Sequence, residues 1–234
     1  MKKSQQCQTK KAISAPKKNT VTLSAEVIAD ICEALKESIP LPKCELEYEN
    51  QYTFLVAIVL SAQSTDKQVN KVTESLFAVI RTPREMAGLG FDGLCEYVRT
   101  IGLYRNKASN IIRMSEILCE RGYADSTELP NDREFLESLP GVGRKSANVF
   151  MNSIYNMPVI AVDTHVKRLS NRLGLSTSSN VLKIEEDLME CIPDCYKDII
   201  GHLLVLHGRY VCKAKSPECD RCCIKKMCNY VSAV

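Results

Sequence analysis

Tryptophan is absent from this 234-residue chain, aromatic residues make up 6% of it, and histidine occurs three times. The core must be built mostly from Leu, Ile, Val and Ala, which suits packed helices better than an aromatic-rich β-sandwich. No run of 18 apolar residues occurs, so no membrane partner is expected. The N-terminal stretch has no apolar segment of the signal-peptide kind, which argues against a secretory leader and for a reducing compartment. Acid is missing from residues 1–20, which hold six lysines and no apolar periodicity. That segment reads as a disordered basic tail. The other 25 basic residues face 28 acidic ones, so bulk charge does not announce a nucleic-acid ligand and any such site must be local.

Strand signals are also scarce, with no convincing alternating pair. Ser24 reads as the N-cap of "SAEVIADICEALKESI", which stops before Pro40 and Pro42. The apolar run "QYTFLVAIVLSAQS" has β-branched content, but its length and helical neighbours predict a buried helix. A polar cap at Ser64, Thr65 or Asp66 precedes apolar positions at helical spacing. Further helices are expected at 83–88, 92–100, 105–121, 132–138, 144–156, 164–173, 180–190 and 195–210. The chain reads as all-α. "EYVRTIGLYRNKASNII" (96–112) overlays "EFLESLPGVGRKSANVF" (134–150) with one extra residue, which suggests a helix–turn–helix used twice.

"LPGVGRKSANVF" (139–150) is the most informative stretch. Asn131 and Glu134 resemble a capping box for a short helix ending at Leu139, and Pro140 cannot continue that helix. Gly141 and Gly143 allow positive φ and close backbone approach, and Arg144 opens the next helix. Free N–H groups and a helix N-terminus then converge, as at a phosphate site that positions a nucleic acid without reading its sequence. A plain Gly-rich join between helices would share the bare GxG. Lys145 falls in the first turn, where the helix dipole and Arg144 both disfavour an ammonium; a lysine with an available lone pair can form a Schiff base with a sugar carbon, and one that merely pairs with phosphate or solvent would look the same from these residues alone. In "VIAVDTHVKRL", Asp163 reads as an N-cap whose carboxylate could also take a proton or stabilise a cationic sugar. His165 reads as structural.

Against these scarcities stand twelve cysteines. Seven are scattered (7, 32, 44, 95, 119, 191, 195), several in helical patterns, and read as ordinary buried thiols. Five crowd "CKAKSPECDRCCIKKMC", where a reducing compartment favours metal over disulfides. The spacing C-x6-C-x2-C-x5-C through Cys212, Cys219, Cys222 and Cys228 admits zinc or a [4Fe–4S] cluster. Cys223 could replace Cys222. Lys213, Lys215, Arg221, Lys225 and Lys226 between them form a candidate patch facing phosphates.

"LPGVGRKSANVF", "VDTHVKR", "LHGRYVC" and the terminal cysteines, with "LSAQSTDKQVNKVT" and "TIGLYRNKASNI", resemble in sequence and order the endonuclease III family of helix-hairpin-helix DNA glycosylases, over about residues 24–230. The resemblance implies an all-α fold of two helical modules with a cleft between them: a six-helix module at 44–157, and a second module from 21–43 plus 158–234 with an iron–sulfur cluster loop. It implies Lys145 as the Schiff-base lysine and Asp163 as the catalytic aspartate. DNA contacts are implied for Gly141, Val142, Gly143 and Arg144, with Gln63 filling the gap left by a flipped nucleotide and Leu103 as a wedge. It implies a [4Fe–4S] cluster on Cys212, Cys219, Cys222 and Cys228, leaving Cys223 spare.

The expected activity is a bifunctional glycosylase and abasic-site lyase removing oxidised pyrimidines from double-stranded DNA, as a monomer. The expected location is cytoplasmic and nucleoid-associated in a bacterium, nuclear or organellar in a eukaryote. Two alternatives stand beside it. A monofunctional adenine-mismatch glycosylase would normally lack a lysine at position 145 and carry a further domain after the cysteines. A non-catalytic DNA-binding module with a metal-stabilised tail would not need Lys145 together with Asp163.

Overall fold

A computed structural model describes residues 23–232. The basic tail expected at 1–20 lies outside them. Eleven α-helices and three short 3-10 turns make up the secondary structure of the described residues, with no strand among them. None of these helices is long and apolar enough to cross a membrane. The chain divides into two compact units, Lys43–Ala161 and Met1–Pro42 with Val162–Val234.

The unit Lys43–Ala161 is built around α2, Gln51–Ser61. Its sequence is apolar all round, and every residue from Tyr52 to Leu60 is buried. A helix of that pattern belongs at the centre of a core rather than at its surface. The β-branched residues do not turn it into a strand, because Asn50 and Thr53 form a capping box that fixes the helix start. Around it lie α3 (Asp66–Phe77), α5 (Tyr104–Glu120) and α7 (Arg144–Tyr155), with α4 (Pro83–Val98) on α5 and α6 (Arg133–Glu137) on α7. The few aromatics are concentrated here. Phe54 stacks on Phe150 at 6.0 Å between centroids. The Tyr52 hydroxyl is satisfied by Ser115 Oγ at 2.7 Å, so a buried phenol carries no desolvation penalty unmet.

The two helices expected at 83–88 and 92–100 form one helical run broken at Gly90, whose φ of 70° and ψ of 175° no helix interior accommodates. Thr65, of the three candidates, caps α3.

In the other unit, α1 (Ala25–Ser38) begins at Ser24, whose Oγ accepts the Val27 N–H, and buries Ile28, Ile31, Cys32 and Leu35 at helical spacing. It packs on α10 (Ile200–Tyr210), and α10 packs on α8 (Thr164–Leu173). The remaining helices are α9 (Val181–Cys191) and the short α11 (Asn229–Ser232). The helix expected from 195 starts instead as a 3-10 turn at Asp194–Tyr196. Of the scattered cysteines among the described residues, only Cys32 is fully buried. Burial pushes its thiol up to about 12, with Cys191 and Glu33 adding to the shift.

Leu55 is fully buried and Leu41 is 81% exposed. Leu55→Ala is expected to cost about 2–5 kcal/mol, and Leu41→Ala no more than about 0.5 kcal/mol, read from urea unfolding.

Candidate functional site

Asp132, not Asn131, caps α6: its backbone is extended and its Oδ1 accepts the Phe135 N–H at 3.1 Å. The helix ends at Glu137, two residues earlier than expected, and Pro140 prevents its return. The turn then closes through the Val142 N–H on Leu139 O at 3.1 Å, with both side chains buried. Val142 therefore has its amide bonded within the turn and its side chain buried. Gly141 has φ +81°, and a Cβ there would lie 3.1 Å from both Asn110 Cβ and Val59 Cγ1. Gly143 does not use positive φ; it is extended at −101° and is the N-cap of α7. A Cβ on Gly143 would meet nothing within 4 Å. Its open side faces away from the protein, where a ligand backbone can approach.

Gly143 offers α7 no capping side chain. Of helices α1 to α9, only α7 and α5 start without one. These are the second helices of the two similar segments at 96–112 and 134–150. The amides of Gly141 and Gly143 have no protein partner among the described residues. A helix N-terminus in this state is an anion site. Lys145, the second residue of α7, is exposed, and nothing among the described residues hydrogen-bonds or ion-pairs its amine.

Gln63 and Leu103 stand at two neighbouring turns, since a Cβ on Gly102 would lie 3.9 Å from Gln63 O. Both are left-handed, with φ 56° and 57°. A non-glycine residue there costs of order 1–3 kcal/mol and is tolerated chiefly at functional turns. Leu103 is 60% exposed, so its side chain does not pack into the core.

Asp163 caps α8 as expected. One oxygen, Oδ1, accepts both the His165 and Val166 N–H groups at 2.8 Å, which leaves Oδ2 without a partner among the described residues. From the same helix, Arg168 Nη2 donates to Gly208 O at 2.7 Å and Cys212 O at 3.0 Å. One turn on, Arg172 donates to Lys213 O at 2.8 Å, Ala214 O at 3.1 Å and Cys212 Sγ at 3.3 Å. Sequence reading passed over both arginines; their spacing of four, one helix face, was the available signal.

Cys212, Cys219, Cys222 and Cys228 all line one cavity, together with Leu169, His207 and Ile224. Cys223 does not line it; it is exposed, with Sγ 3.4 Å from Ser38 Oγ. His207, buried and also missed from sequence, places Nε2 3.3 Å from Cys222 Sγ. Burial, then Arg221, holds His207 down at about 4, so the ring is neutral at pH 7. Burial and the nearby Cys223, Cys228 and Cys212 thiols push Cys222 up to about 11. Sulfur donors gathered this way need a cation to become thiolates together.

The basic patch is smaller than expected. Glu218 pairs with Lys213 and Arg221, and Asp220 with Lys225 at 2.8 Å. Lys215 and Lys226 are the cations of this loop left without a carboxylate among the described residues.

Residues 56–194 match the HhH-GPD superfamily of base excision DNA repair proteins. The chain is 45% identical over 205 residues to endonuclease III of Haemophilus influenzae, covering 88% of this chain and 96% of that one. It is 44% identical over 205 residues to endonuclease III of Escherichia coli K12, with the same coverage. The fold is similar, at a TM-score of 0.83 and 41% identity, to a trapped endonuclease III–DNA covalent intermediate with an estranged adenine, over 91% of this chain and 99% of that one.

The two hairpin glycines are expected to respond differently to alanine. Gly141→Ala meets a positive φ and two close contacts and should destabilise by about 1–3 kcal/mol. Gly143→Ala should shift the unfolding free energy by no more than about 0.5 kcal/mol, both read from thermal melts.

Proposed function

Because this chain belongs to the endonuclease III family of the HhH-GPD superfamily, we propose that it is a DNA glycosylase and abasic-site lyase that removes oxidised pyrimidines from double-stranded DNA, acting as a monomer. The observation that carries this reading is Lys145. Its amine is exposed and unpaired among the described residues, beside an uncapped helix start and two free glycine amides.

The amides of Gly141 and Gly143 and the start of α7 hold a phosphate, and Gly143 lets the strand approach without steric contact. The damaged nucleotide leaves the stack, Gln63 fills the gap and Leu103 wedges beside it. Lys145 Nζ attacks C1′ as the neutral amine; the C1′–N bond breaks, and the base leaves with a proton. The ring opens to an imine between Nζ and C1′. Loss of a C2′ proton then expels the 3′ phosphate by β-elimination, and water hydrolyses the imine to free the lysine. Asp163 Oδ1 is committed to its helix, so Oδ2 is the atom that stabilises positive charge at the sugar and handles protons.

Cys212, Cys219, Cys222 and Cys228 are the proposed ligands of a [4Fe–4S] cluster. A single zinc at Zn–S of about 2.3 Å would draw its thiolates to within about 4 Å of one another. Here no three such donors converge on one ion among the described residues, although four thiols share one cavity. Four cysteines on one cavity would hold a [4Fe–4S] cluster through four thiolates. Such a cluster supplies a rigid crosslink and redox-capable iron; this chain's residues supply the catalysis. Arg168 and Arg172 fasten the cluster loop to α8, the helix that Asp163 caps.

With duplex DNA containing thymine glycol, the wild-type protein should release the base and cut the strand to a 3′ unsaturated aldehyde. Lys145→Ala should lose strand cleavage by roughly 10³-fold or more, the scale of losing a nucleophile. Base release without cleavage by the wild type would support the monofunctional alternative, and binding without either would support a non-catalytic module. For the metal, Cys222→Ser should lose iron and acid-labile sulfide, whereas Cys223→Ser should retain both.

A further inference from the structure

Lys107 is a lysine with 6% exposure and no carboxylate partner among the described residues, and the mechanism above does not use it. Its amine donates to Leu60 O at 2.9 Å and to Ser64 Oγ at 3.1 Å. These acceptors bracket Gln63 on the turn leaving α2. Its own backbone N–H donates to Leu103 O at 3.1 Å, the bond that starts α5. One residue therefore grips both turns that carry the exposed left-handed residues. A second tie runs alongside, from Gln68 Nε2 to Thr100 O.

Burying an amine in an apolar core is unfavourable unless its donors are used. Burial does hold Lys107 below the ordinary lysine range. Methionine would fill the same space without that penalty, so packing alone does not explain the choice of lysine. What the amine supplies is two directed bonds on either side of a strained residue.

We propose that Lys107 is a positioning residue that sets Gln63 and Leu103 in register with one another, so that both enter the duplex together when a nucleotide is flipped. The proposal rests on the roles given above to Gln63 and Leu103. Both side-chain bonds end on the turn after α2 and neither reaches Lys145, so the residue acts through the two turns.

The test is a double-mutant cycle on the full-length protein loaded with its metal. Lys107→Met, Gln63→Ala and the double variant are compared by affinity for a duplex containing a tetrahydrofuran abasic-site analogue relative to an undamaged duplex. Lys107→Met should lower that ratio about tenfold, the scale of coupling between linked residues, and should add little in the Gln63→Ala background. Equal losses in both backgrounds, or an unchanged ratio in Lys107→Met, would overturn the proposal. If Lys107→Met does not fold by thermal melt, Ser64→Ala removes one of the two acceptors and should show the same non-additivity with Gln63→Ala. A wild-type protein with no preference for the analogue would instead overturn the functional reading on which this rests.

Discussion

An uncapped helix start is the constraint from which the rest follows. Most helices of this protein begin with a Ser, Thr, Asp or Asn whose side chain satisfies the first-turn amides, whereas α7 begins at Gly143 and has none. That deficit of about 1 kcal/mol is the usual cost of a missing cap. It also leaves a positive end that an anion can fill, with no side chain in its way. Gly141 bends the backbone into the turn, the buried Leu139 and Val142 fix the turn to the core, and Lys145 is carried on the open helix end. The start of α8 is the opposite solution. Asp163 caps it with a single oxygen, and the capping bond itself orients the other one.

The cysteine loop answers to α8 rather than to its own secondary structure. Its elements are two 3-10 turns and a four-residue helix, too short to be stable alone. Two arginines of α8 hold it, and four of its cysteines line one cavity with residues of α8 and α10. Arg172 also lies over the Tyr230 ring at 4.5 Å. The helix that Asp163 caps at its first turn also anchors the loop from its later turns. Most of the loop's basic residues are engaged in ion pairs with Glu218 and Asp220, which makes them fasteners of the loop as much as a surface for phosphates.

The all-helical class was legible because apolar spacing and cap residues agreed along the chain, and even the β-branched α2 was settled by its length. The position of Lys145 at a helix start and of Asp163 as a cap followed from local rules acting within four residues. What escaped depended on distant contacts. Gly141, and not Gly143, takes positive φ, and Asn110 and Val59 close off the space a Cβ there would need. The burial of Val142, the grip of Arg168 and Arg172 on Cys212, and the bonds from Lys107 to Leu60 and Ser64 join residues up to 47 positions apart. Periodicity carries no signal for such pairs. The spacing left Cys222 and Cys223 as alternatives, and of the two only Cys222 lines the cavity.

The central claim is that the Lys145 amine forms the bond to DNA. Reducing the enzyme–DNA reaction with borohydride, digesting the adduct and identifying the modified peptide by mass spectrometry tests it most directly. One sugar-bearing lysine is expected, Lys145, within the peptide that follows Gly143. An adduct on any other lysine, or none from a wild-type protein that cuts abasic DNA, would contradict it.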